Sequence, residues 1–317
     1  MATGPVAASV SLHSLQIAIP GHSVPMIPLI ILGLFIGYIA GMFGVGGGFL
    51  LTPVLNIVFG IPIQIAVGSA MCQKIGTSVA SFLKYRKYKR GEPRFDWVMM
   101  GGGVMGVGAG TRLLQFLSSP DRARLPMGSR PSVGIVIIES VYIVLLSVTT
   151  WFTWREALVA MKRDVPRGDE TIPGPLAKVR IPPYIDLPSV GLKQVSAPVM
   201  AYVGLILGML SGLLGIGGGI AFMPVLLYGY GLSIRNAAGT GVLLLFVTVT
   251  TGTINQAHLG FVSLSLAMTI LVGSSIGSQL GALTTHRLPN RTLRLFLIGL
   301  IVATTLMIAW DLFKVLR

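Results

Sequence analysis

Charge is what this sequence has least of. Only 11% of its 317 residues are charged and just ten are acidic, against about a quarter charged in an ordinary soluble domain. A chain so poor in ionised groups cannot cover a surface that faces water on all sides. Cysteine is represented once, by Cys72, which excludes an intramolecular disulfide and a cysteine-based metal cluster. The residues imply no metal and no cofactor. Residues 1–26 contain no Lys, Arg, Asp or Glu, so they lack the charged start of a secretory signal peptide. They read as a disordered or surface-lying tail.

What the sequence does have is apolar length. Hydrophobic residues make up 53% and the mean hydropathy is +0.80. Runs near 27–45, 49–59, 64–83, 95–117, 133–153, 199–214, 218–231, 236–254, 261–283 and 293–313 alternate with polar clusters. Most approach the roughly 20 residues a helix needs to cross a bilayer, while 49–59 and 218–231 are too short. The net charge of +14 sits between these runs, as in Lys84-Tyr-Arg86-Lys87-Tyr-Lys89-Arg90. That placement suits cytoplasmic loops against anionic lipid rather than a nucleic-acid partner.

The chain is also a duplication. Residues 41–81 align without a gap to 212–252, with 13 of 41 positions identical. The matches include Gly46, Gly47 and Gly48 against Gly217, Gly218 and Gly219, and Pro53 against Pro224. The same offset relates Gly102, Gly106 and Gly110 to Gly273, Gly277 and Gly281. The implied organisation is an N-terminal tail over 1–26, a membrane repeat over 27–153, a cytoplasmic linker over 154–198 and a second repeat over 199–313. Five apolar segments per repeat make the second repeat inverted relative to the first. Loop charge agrees, because 84–94 holds six Lys or Arg whereas the equivalent 255–260 holds none. The segments near 118–131 and 286–294 are both basic and separate the sides less cleanly. Both termini are expected outside. The fold class expected is an all-α integral membrane protein of about ten transmembrane or half-membrane helices in two inverted five-segment repeats.

Three consecutive glycines are poor helix formers, at about 1 kcal/mol each relative to Ala. Broken backbone at membrane depth survives only where protein or a water-filled cavity satisfies it. Gly46, Gly47 and Gly48, with Gly217, Gly218 and Gly219, therefore mark either paired half-helices around a substrate site or tight turns. Lys74 lies about ten residues from each end of its segment, too deep to snorkel easily, and a charge there by default marks a site or pathway. Its repeat partner is Leu245. The other reading of Lys74 is an ion pair with Glu139, which is itself a candidate proton carrier for coupling. Ser69, Gln73 and Thr240 are candidate donors to an anion, or else interhelical packing and hydrogen-bonding groups. The Gly-x3-Gly runs at 102–110 and 273–281 read as close helix contacts, Arg112 as a snorkelling side chain, and Cys72 as a buried thiol with a conceivable role in sulfur chemistry.

These residues resemble the TauE/SafE sulfite exporter family of membrane transporters. The resemblance rests on Gly41-Met-Phe-Gly-Val-Gly-Gly-Gly48 followed by Pro53, on Gly212-Leu-Leu-Gly-Ile-Gly-Gly-Gly219 followed by Pro224, on Ala237-Ala-Gly-Thr240, and on the basic loop leading to Phe95-Asp-Trp97. Where relatives often have Ala-Thr-Ser after the first half-helix, this chain has Gly68-Ser-Ala-Met-Cys-Gln-Lys74. The resemblance implies movement of sulfite, sulfoacetate or related sulfur-containing anions across the bacterial cytoplasmic (inner) membrane.

The expectation is a multi-pass secondary transporter, an exporter and not an enzyme. Its partners would be a small inorganic or organosulfur anion, a coupled H+ and the lipid bilayer. The substrate would pass to alternate sides as one half rocks against the other. The alternatives are an anion channel and a membrane-embedded sulfur-handling protein that uses Cys72.

Overall fold

The structure, a computed structural model, describes residues 16–19, 22–43, 48–87, 92–118, 133–162, 173–232, 234–285 and 290–316. Ten α-helices lie among them, five in each half of the sequence. The first five are α1 (Met26–Phe43), α2 (Gly48–Pro53), α3 (Ile63–Lys87), α4 (Pro93–Leu117) and α5 (Val133–Lys162). Their equivalents are α6 (Ala197–Leu214), α7 (Gly219–Pro224), α8 (Ile234–His258), α9 (Leu264–Thr285) and α10 (Asn290–Leu316). Five helical stretches are long and apolar enough to cross a membrane, namely Gly134–Arg155, Ala197–Leu214, Thr240–His258, Leu264–Gly281 and Leu295–Lys314. The protein is an all-α integral membrane protein, as its composition requires.

The two short apolar runs are half-helices. Each passes beyond its proline into one π-helical turn, Val54–Val58 after Pro53 and Val225–Gly229 after Pro224. Matching wide backbone bonds close the two, Phe59 N to Val54 O at 3.3 Å and Tyr230 N to Val225 O at 3.1 Å. Gly60 and Gly231 then turn the chain with positive φ. At 1.5 Å per residue, such an element is about 16 Å long, roughly half the hydrocarbon thickness.

The second glycine break is fully described. Gly215, Gly217 and Gly218 all hold left-handed backbone, at φ of +68°, +72° and +83°. Side chains resist that region, so the Gly-Ile-Gly-Gly-Gly spelling is what ends α6 and restarts the chain as α7. Of the first break, only Gly48 falls among the described residues; Gly46 and Gly47 lie outside them.

Glycine stripes hold the bundle together in two equivalent seams. Gly33, Gly37 and Gly41 of α1 lie against the backbone of Ile270, Ser274 and Ser278 of α9, and Gly273, Gly277 and Gly281 return the contact. Gly102, Gly106 and Gly110 of α4 meet α6 in the same way, answered by Gly204, Gly208 and Gly212. A Cβ at any of these positions would strike partner backbone. Within each seam the residue numbers rise together, so the paired helices are parallel. Between α3 and α8 they run oppositely: Gly68 faces Gln256, and Gly252 faces Met71. α5 and α10 pack together at the outside of the bundle and present Val144, Trp151, Leu306 and Phe313 outward.

Each repeat is entered through a β-hairpin. Strands β1 (Gln16–Ile19) and β2 (His22–Pro25) lead into α1, and β3 (Tyr184–Leu187) and β4 (Leu192–Ser196) lead into α6. Residues 16–19 and 22–25, which composition read as part of a disordered or surface-lying tail, are thus paired strands and not disordered. The described part of the linker is also packed: Leu187, Val190, Leu192 and Val195 join Phe95, Met99, Phe222 and Tyr230 in one apolar cluster. The first repeat's last helix reaches Lys162, well past the end of its apolar run.

Candidate functional site

Lys74 is fully buried. It projects from the middle of α3 toward the turn that breaks the other half, where its Nζ donates a hydrogen bond to Gly215 O. Gly48 makes this path possible, because a Cβ there would lie on Lys74 Cε and Nζ and 2.6 Å from Ile216 O. The ammonium thus sits where the start of α2, the middle of α3 and the break before α7 meet. Gly215 O is its one hydrogen-bond partner among the described residues, leaving two N–H groups for a ligand. An isolated buried ammonium costs several kcal/mol, and a single carbonyl offsets only part of that.

Leu245 occupies the position on α8 equivalent to Lys74, and both reach the same glycine. A Cβ on Gly217 would be 2.9 Å from Leu245 Cδ1 and 3.0 Å from Lys74 Cδ. One turn along α8, Thr248 ties the break in place, its hydroxyl directed to Leu244 O at 2.8 Å, Leu245 O at 3.0 Å and Gly217 O at 3.4 Å. From α5, the Tyr142 hydroxyl donates to Leu214 O at 3.1 Å. The second break is therefore held from α8 and α5 and presents a carbonyl to the cation of the first half.

A model of the family described as sulfite exporter TauE/SafE matches residues 29–308. The chain belongs to that family. Among curated relatives, the probable membrane transporter protein YunE of Bacillus subtilis (strain 168) is 23% identical over 272 residues, 84% of this chain and 90% of YunE. The probable membrane transporter protein MJ0441 of Methanocaldococcus jannaschii is 25% identical over 288 residues, covering 85% and 90% of the two chains. No solved structure matches. This TauE/SafE chain is accordingly a multi-pass membrane transporter.

Within the TauE/SafE fold, the residues singled out from the sequence divide into two groups. Gly48, Lys74 and Gly217 come together, with Gly218 and Gly219 continuing the same break. Ser69, Gln73 and Thr240 instead join helices. Ser69 Oγ accepts from Ser263 N at 3.0 Å, Gln73 Nε2 donates to Ser274 Oγ at 2.6 Å, and Thr240 Oγ1 accepts from Glu92 N at 3.3 Å. Cys72 is half-buried and, two residues from Lys74, points about 200° away around the helix. Arg112 is exposed.

Glu139 is buried on α5, and its Oε2 has no hydrogen-bond partner among the described residues. No ion pair joins it to Lys74 among those residues, so Lys74 is held by backbone and not by a carboxylate. Besides Glu92 just ahead of α4, Asp96 at its start is a further buried acid. Its position at the edge of an apolar run gave the sequence no signal of burial. Tyr142 was equally silent, since a tyrosine in an apolar helix reads as packing.

Proposed function

We propose that this chain is a secondary transporter that carries small sulfur-containing oxyanions, such as sulfite or sulfoacetate, outward across the bacterial cytoplasmic membrane. The observation that carries the reading is the fully buried Lys74 ammonium, unpaired with any described carboxylate and set against the glycine break of the opposite half. An arriving oxyanion competes with Gly215 O for that ammonium. Because this carbonyl belongs to the second break, binding of the anion is coupled to the position of the backbone on which α7 begins. Charge neutralisation in a dry site gives the interaction its strength.

The two repeats are inverted in this reading, which the opposite run of α3 and α8 supports. Cysteines placed at Lys87 and His258 in a Cys72→Ser background are expected to label from opposite sides of the membrane. Labelling from one side would remove the inversion. Glu139, one helical turn from Tyr142 on the same helix, carries the coupled proton, and Glu139→Gln is expected to leave flux that no longer responds to a pH gradient.

The deciding experiment is flux in proteoliposomes with sulfite, sulfate, thiosulfate and sulfonates, for wild type and Lys74→Ala. Saturable transport of one or more of these anions, lost in the variant while the protein remains inserted, is the expected result. Equal flux of every anion by both proteins would overturn the role of Lys74.

A further inference from the structure

Hydroxyls inside this bundle have a habit. Thr149, Thr153, Thr250, Thr253, Thr269 and Thr304 each turn back to a carbonyl three or four residues earlier, the usual way a helix satisfies such a group. Thr111 and Ser211 depart from it: both are buried, and neither hydroxyl oxygen has a hydrogen-bond partner among the described residues. Gln256 departs further. Its side chain is completely buried, yet neither Nε2 nor Oε1 is bonded. A fully buried amide near the end of α8 that offers two donors and two acceptor positions to nothing is what a ligand-facing group looks like before its ligand is considered.

The contacts of their neighbours set these three on adjoining helices, toward one side of the Lys74 site. Gly212, next to Ser211, lies 3.0 Å from Thr111 N by the position of an added Cβ, and Gly252 packs against Val107. Thr111 and Gln256 are each one turn beyond that Val107–Gly252 contact, on helices that run in parallel. Gln256 Cβ in turn borders Gly68, whose neighbour Val67 touches Gly215. Gly215 is the residue whose carbonyl holds Lys74, and its amide bonds Ser211 O at 2.9 Å. Thr52, a further buried hydroxyl, would lie 3.0 Å from a Cβ on Gly215. Val67 precedes Lys74 by about two turns of α3, roughly 10 Å, and a lysine in a helix leans toward the helix start. The ammonium, bonded to Gly215 O, therefore lies toward the Val67 end of α3, the end that Gln256 borders.

We infer that Gln256, Thr111 and Ser211 form a neutral subsite next to Lys74, which takes the uncharged, hydrogen-bonding part of a singly charged oxyanion while Lys74 takes the charge. This rests on the reading of Lys74 as the anion-binding cation. The cluster contains no ionised side chain, so it adds no second positive charge for a dianion; of the two anions named above it favours sulfite in its singly charged, protonated form over the doubly charged sulfoacetate. The amide and hydroxyls both donate and accept, so they suit a ligand that carries a hydroxyl beside its anionic head. A polar site of this kind rejects the analogue that lacks the hydroxyl, because its own groups are then left unpaired.

Two probes of equal and fixed charge test it: 2-hydroxyethanesulfonate and ethanesulfonate, as competitors and as substrates of the full chain in proteoliposomes. Wild type is expected to prefer the hydroxylated anion by about tenfold or more, the scale of one well-placed hydrogen bond. Gln256→Leu, and independently Thr111→Val, are expected to bring the two anions to parity mainly by weakening the hydroxylated one. A wild type indifferent to the hydroxyl overturns the subsite, whether it carries both anions or neither. So does a preference that survives both substitutions, which would leave these groups as holders of buried water. Lys74→Ala tells the two failures apart, since the broader reading fails only if flux persists without the lysine.

Discussion

Lys74 and Leu245 stand at matching positions of a duplicated structure and lean on the same glycine, yet one is a cation and the other a hydrocarbon. Their surroundings are nearly the same, with α3 and α8 each packed beside a half-helix, a proline and a π-helical turn. Whatever the lysine does, then, is not a demand of the scaffold, because the scaffold is built equally well with leucine. The duplication supplies a half-helix on each side of this junction, and a single substitution makes one side electropositive. A symmetric pair of lysines would place like charges against one glycine, where repulsion and desolvation both oppose folding.

Exchange of the two side chains' roles gives the sharpest test of this difference. Lys74→Ala is expected to lower flux by about 100-fold or more, the scale of a lost buried charge contact of about 3 kcal/mol, with little change in the unfolding midpoint in detergent. Gly48→Val attacks the same junction from α2. Its side chain would displace the lysine and strike Ile216 O, for an expected stability loss of about 1–3 kcal/mol by overpacking together with lost flux. Leu245→Ala is the complement. It should cost about 2–5 kcal/mol through the cavity it leaves, read as a lower unfolding midpoint, and should retain most of the flux at a temperature where the protein is folded. If Leu245→Ala silenced transport while Lys74→Ala did not, the assignment of function to the charged side of the junction would be reversed.

Much of this architecture is legible in the sequence because it is written in glycine and length. Gly-Gly-Gly followed five residues later by proline marks each half-helix, and Gly60 and Gly231 mark their ends. The stripes at 102–110 and 273–281 announce close crossings, and a lysine in mid-segment announces a buried cation. What spacing does not encode is direction around a helix relative to a neighbour not yet known. Ser69, Gln73 and Thr240 look like candidate donors, but each is already bonded to another segment. Gln256, Thr111 and Ser211 look like ordinary polar interruptions, and their isolation emerges only when five segments converge. The hairpins were hidden for another reason: strands of four or five residues among prolines leave too short an alternation to read.

The glycine seams have a mechanical consequence. Each one stitches a helix of the first repeat to a helix of the second, α1 to α9 and α4 to α6, with backbones too close for any side chain between them. The line along which the gene was doubled is therefore not a line along which the molecule can part. Any large motion has to carry α1 with α9 as one body and α4 with α6 as another, each a hybrid of both repeats, and the junction at Gly215 is where their relative travel would be felt.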